Sequence, residues 1–292
     1  MPFGVRLYAR RDAQAPSAEE ARIADVAIAG GRAFLVDATA FRVLDVRGAA
    51  TPVELGRLES MTGAAVALTD DVAWVASGRL SAIDVSDPTH LAVLGEAELG
   101  GAGVALAVEG GVACVGAGDA GVVLLGVGDP RAPCIAGRLA VDEGAWDVRL
   151  RDGIAYVLTA GTLVVIDARA PARPSVLARV ALAPPLHGLA LAGGVACIAA
   201  ARTGVRLLDV RDPAHPLERG RLVGGMAVAV DAAADLVWVL ESGRGVSTWR
   251  LSETEDARRE GFTAVRCVSG RLRVAGGSAF VASHQLVRVP LD

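Results

Sequence analysis

Short apolar segments of five to seven residues alternate with Gly-, Asp- and Pro-rich breaks along almost the whole chain. Few segments are long enough for a helix, and Val, Leu, Ile and Ala dominate them, which is strand chemistry. Within the unit at 145–181 the pattern predicts four strands, at 145–151, 154–159, 162–168 and 175–181. Asp152-Gly153, Ala160-Gly161 and Ala170-Pro171 supply the turns between them. Both faces of these segments are apolar, as in sheets covered on each side by neighbours.

The same unit recurs. One column reads Phe34, Trp74, Cys114, Tyr156, Cys197, Trp238, Phe280, with steps of 40, 40, 42, 41, 41 and 42 residues. A second reads Asp45, Asp84, Gly126, Asp167, Asp209, Arg250, Arg288, and Asp-Pro turns follow several of its members, as in Ser86-Asp87-Pro88 and Arg211-Asp212-Pro213. Four short strands per unit of about 41 residues form a propeller blade. The segments VVIDARAPARP and RLLDVRDPAHP, each preceded by Gly, Val or Ile, Ala, an aromatic or Cys, and Val or Ile, resemble the LVIVD repeat. The resemblance implies an all-β, seven-bladed β-propeller with four-stranded antiparallel blades. Family members are largely surface or exported propellers. Here Met1 to Arg10 holds no apolar stretch of signal-peptide length, so the expectation is a cytoplasmic protein.

The expected blades lie at about 23–59, 64–98, 103–140, 145–181, 186–223, 226–262 and 268–292 of a single domain at 1–292. The seventh unit stops after three strands. Phe3–Arg10 resembles other fourth strands and is expected to close the ring as the outer strand of that blade, removing an exposed edge.

Composition changes the picture at three points. A hydrophobic fraction of 52% with 21% charged residues supports a large buried core and no disorder, while a net charge of −4 argues against a nucleic-acid partner. The uncharged run from Val180 to Ala201 is long enough for a membrane helix, but Pro184, Pro185 and Gly193-Gly194 break it and it fits the repeat, so no membrane partner is expected. The four cysteines have no zinc-type spacing, and no P-loop, nucleotide-binding glycine motif, nucleophile elbow, HExxH or calcium loop is present. Neither a cofactor nor a metal is expected.

Function is then sought where residues break the repeat. The first strands of the units are expected to line the channel and begin at one face, called the top. Their opening column reads Asp25, Ala65, Ala105, Asp147, Gly188, Ala227, Arg271, and two residues on it reads Ala27, Ala67, Ala107, Arg149, Ala190, Ala229, Arg273. Arg149 and Arg273 come from nearly opposite blades and are candidate ligands for an anion, or partners of Asp147 and Asp25 in structural ion pairs. The column just before holds Trp146, His187 and Met226. Trp146 has no core slot and is either an aromatic wall for a ligand or blade packing. His187, with Asp147, is the candidate acid–base pair, and Asp25, Met226, Arg271 and His284, the last in the top turn of the last blade, are further candidates for ligand binding. His90 and His215 occupy equivalent bottom turns and read as structural.

Asp37, Arg79, Asp119, Arg202, Glu241 and Arg244 give the top turns a mixed-charge rim. Two function classes follow. One is a binding module presenting the top face and channel mouth to a small molecule, an anion among the candidates, or to a protein partner. The other is a cofactor-independent isomerase, cyclase or lyase at the same mouth.

Overall fold

A computed structural model of the chain describes residues 22–48, 51–252 and 257–291. The strands fall into seven antiparallel meanders, six with four strands and the last with three among the described residues. The first strands of the blades are Asp25–Ala29, Ala65–Thr69, Ala105–Glu109, Asp147–Arg151, Gly188–Ala192, Ala227–Ala233 and Arg271–Ala275. Each packs against the first strand of the next blade, and Arg271–Ala275 packs against Asp25–Ala29, so the inner circle closes on itself. The protein is a seven-bladed β-propeller with no helix among the described residues. The expected closing strand, Phe3–Arg10, lies outside the described residues.

The hydrophobic pattern explains this architecture. The second strand of blade 4, Ile154–Leu158, is buried at every position, and so is the second strand of blade 5, Val195–Ala199. Such strands need apolar cover on both faces, which only a neighbour on each side supplies. The core is therefore divided into apolar layers between adjacent blades. Tyr156 and Leu163 of blade 4 pack with Leu189 and Ile198 of blade 5. Between blades 7 and 1, Phe280 and Ala282 pack with Ile23, Val26, Leu35 and Leu44. The recurring aromatic-or-Cys column is buried throughout, and burial pushes the thiols of Cys114 and Cys197 up to about 12, as inert core groups.

The third and fourth strands of all six four-stranded blades share one irregularity. The register shifts between Val43 and Leu44, and again at Ala82/Ile83, Leu124/Leu125, Val165/Ile166, Leu207/Leu208 and Thr248/Trp249. The bulge sits beside Gly56, Gly95 and Gly137 in blades 1 to 3, and the next blade's bottom turn lies over these glycines. A β-carbon at Gly137 would stand 2.2 Å from the Pro171 carbonyl oxygen. These glycines are required by close approach of one blade's backbone to the next. The bottom turns hold themselves together: His90 Nδ1 lies 2.9 Å from Asp87 Oδ2, and His215 Nδ1 2.8 Å from Asp212 Oδ2.

Candidate functional site at the channel mouth

The first strand of each blade has a ladder neighbour on one side only. Its alternate N–H groups point away from that neighbour and need acceptors. Three aspartates supply them from the preceding blade. Asp25 Oδ2 accepts from Val66 N at 3.1 Å, Asp147 Oδ2 from Leu189 N at 2.9 Å, and Asp231 Oδ2 from Val274 N at 2.7 Å. Each carboxylate thus ties one inner strand to the next.

Asp231 corrects the alignment read from the sequence. In blades 1, 4 and 7 the residues facing the aromatic column are Ala27 with Phe34, Arg149 with Tyr156, and Arg273 with Phe280. In blade 6 the residue opposite Trp238 is Asp231, not Ala229: it stands seven residues before Trp238, as Arg149 does before Tyr156 and Arg273 before Phe280. The level therefore reads Ala27, Ala67, Ala107, Arg149, Ala190, Asp231, Arg273. The spacing between blades points to Ala229, whereas the spacing to the blade's own aromatic residue gives Asp231.

Three arginines complete this layer. Arg149 Nη1 donates to Asp147 Oδ1 at 2.6 Å and to the Val148 carbonyl at 2.8 Å. Arg273 Nη2 donates to Asp25 Oδ1 at 3.2 Å and its Nη1 to the Leu272 carbonyl at 3.0 Å. Arg271 Nε donates to the Ala24 carbonyl at 3.3 Å and stands 3.7 Å from Asp25 Oδ1. Burial pushes the Asp147 carboxyl upward, but Arg149, Arg271, the Leu189 N–H and Arg273 outweigh it and hold the group below the usual carboxylate range. Asp147 is therefore an ionised, fully hydrogen-bonded strut. Desolvation disfavours the Arg273 cation, but the charges of Asp25, Asp231 and Asp147 more than offset it and raise its pKa.

Above this layer lies an open cavity of about 730 Å3. Blades 4 to 7 and the segment entering blade 1 form its wall, and blades 2 and 3 contribute none of it. The structure brings together Trp146, Asp147, Arg149, His187, Met226, Arg271 and Arg273 on that wall. Asp25 lies behind it, held by Arg271 and Arg273. His284 is exposed on its turn, outside the cavity wall.

Trp146 is presented by a tight turn. Glu143 (φ 66°) and Gly144 (φ 68°) both take left-handed backbone, and Glu143 Oε2 fixes the turn by accepting from Gly161 N at 3.0 Å and Thr159 Oγ1 at 3.2 Å. The indole Nε1 donates to the Glu143 carbonyl at 3.2 Å, leaving the ring 42% exposed. Met226 and Val268 on the same wall are exposed as well, at 41% and 72%. Val268 escaped the sequence reading because it lies in an inter-blade loop that the repeat columns do not cover. His187 is exposed, and its ring hydrogen-bonds to neither Asp147 nor Asp25 among the described residues. Partial desolvation lowers its pKa, so the ring is neutral at pH 7. Among the described residues no group of three or more His, Cys, Asp or Glu side chains is arranged to hold a metal ion.

A ring of repeated four-stranded blades with a polar layer in its channel defines the class: a repeat-built β-propeller. The LVIVD repeat model matches residues 63–97, 144–181 and 187–223, which are blades 2, 4 and 5. Three of the seven blades thus match the LVIVD repeat, and they sit in a seven-bladed ring. Among solved structures it is similar to the crystal structure of the computationally designed Ika8 protein, at 14% identity over 94% of this chain and 97% of that one, with a TM-score of 0.68. That likeness concerns the fold alone. No curated protein matches the chain.

Proposed function

We propose that the protein is a binding module whose channel mouth takes a small molecule. The observation that carries this reading is the coincidence of cavity and broken repeat. Trp146, Arg149, Met226, Arg271 and Arg273 depart from the small residues at their levels, and they converge on one cavity. A concave site with apolar walls and a few convergent polar groups is the usual form of a ligand site. Its size falls in the ordinary range for small molecules.

The acid–base alternative has less support. Asp147 has both carboxylate oxygens engaged and is held ionised, and His187 lacks a carboxylate to orient it among the described residues. General acid–base work needs a group that exchanges protons near neutral pH beside an orienting partner.

Native mass spectrometry of the untagged protein, gently purified from its own source, tests the reading. The expected result is a stoichiometric low-mass adduct that is lost in Trp146→Ala while the melting temperature is kept. An adduct retained by that variant would place the ligand elsewhere. A co-purifying polypeptide without an adduct would replace the small molecule with a protein partner.

A further inference from the structure

The three channel arginines are not equivalent. Arg149 is committed to Asp147 and its own strand, and Arg273 to Asp25 and its own strand. Arg271 contacts the protein only through Nε. Its two terminal nitrogens make no hydrogen bond among the described residues and are not sealed from solvent, since the side chain is 28% exposed on the cavity wall. Its nearest carboxylate, Asp25 at 3.7 Å, lies closer to Arg273 at 3.2 Å and is also engaged by Val66 N. Among the described residues Arg149 also keeps Nε and Nη2 unfilled, but its Nη1 is held by Asp147, whereas Arg271 has both terminal nitrogens unfilled.

Charge around the cavity sets how much negative charge that fork can accept. Arg22, Arg149, Arg271 and Arg273 line the cavity with Asp147, and Asp25 and Asp231 stand behind the wall, so over these seven groups one positive charge is in surplus. His187 adds none at pH 7. A single negative charge restores neutrality. A second would be uncompensated beside ionised Asp147. Outward from the fork, Trp146, Met226 and Val268 offer an exposed apolar wall.

Resting on the small-molecule reading above, we propose that the ligand is a monocarboxylate with an apolar, ring-sized body. The carboxylate takes both terminal nitrogens of Arg271 side by side, the geometry for which the guanidinium fork is suited. The apolar body lies along Trp146, Met226 and Val268. Arg149 and Arg273 act as positioning residues, holding the aspartates that would otherwise neutralise Arg271 or repel the ligand.

The test is isothermal titration of ligand-free protein with three probes of one shape: 2-naphthylacetate, its carboxamide, and the matching naphthylmethyl phosphonate. The carboxylate should bind at one site, the neutral amide at least tenfold more weakly, and the phosphonate no tighter than the carboxylate. In Arg271→Gln the carboxylate-to-amide ratio should fall to near one. That ratio is internal to each protein, so it does not depend on the variant keeping full stability. Equal binding of acid and amide to the wild-type protein would overturn the proposal, as would a ratio unchanged in Arg271→Gln or a phosphonate bound tenfold more tightly. If none of the probes binds while the purified protein carries a neutral or cationic adduct, the carboxylate assignment falls and the small-molecule reading stands. If neither probe nor adduct is found, both fall.

Discussion

At the scale of the residue, one carboxylate shows how burial and pairing compete. Asp147 is 6% exposed, and burial alone would raise its pKa. Arg149, Arg271, Arg273 and the Leu189 N–H favour the anion and win. Because its folded pKa is depressed, the stability it contributes is present above its unfolded value of 3.8 and is lost as pH falls through that value toward the folded one. Wild-type protein should therefore lose stability below about pH 4, and Asp147→Ala should lose less over the same range. At pH 7 the same substitution leaves Arg149 without its partner and the Leu189 N–H without its acceptor. A cost of about 3 kcal/mol is expected, read as a lowered midpoint in urea.

At the scale of the element, the repeated bulge decides where side chains are tolerated. Beside it Gly137 lies under the Pro171 carbonyl, so Gly137→Ala must push one blade from the next. Gly261 holds the same place in blade 6, yet the nearest atoms to a β-carbon there are those of Thr248 at 3.9 Å. Gly137→Ala should cost about 1–3 kcal/mol, as overpacking does, and Gly261→Ala under about 0.5. Chemical denaturation of the two variants side by side checks this. The other irregularity, the slip in the first strand of blade 6, lies between Ala227 and Ala229, before Asp231, which stands level with Arg149 and Arg273 and adds a third carboxylate to the layer.

At the scale of the whole molecule, the ring is joined between blades 7 and 1 by apolar packing and by polar contacts. Ile23 N donates to the Ser283 carbonyl at 2.7 Å, and Arg273 reaches Asp25. The third strand of blade 7, Leu286–Pro290, nonetheless has an outer edge with no fourth strand among the described residues, and Val287 on it is 41% exposed. In every other blade that edge is paired. If Phe3–Arg10 fills it, deleting residues 1–10 should lower the melting temperature by roughly 2–4 °C for each kcal/mol of lost pairing and packing. An unchanged melting temperature would show that the edge is covered otherwise or left open.

The blade count, strand order and inter-blade core were legible in the sequence because each repeats at nearly fixed spacing, and burial on both faces leaves the apolar column little freedom. The same periodicity marked Asp25, Trp146, Asp147, Arg149, Arg271 and Arg273 as departures from small residues. Sequence alone did not show which carboxylate each arginine meets. The spacing between blades also passed over Asp231, which only the spacing to Trp238 gives, and Val268 stands in a loop. Those depend on contacts between residues about 40 to 250 positions apart. Only closure of the ring brings such residues within hydrogen-bond reach, so only the tertiary structure separated the committed arginines from Arg271, whose fork remains open.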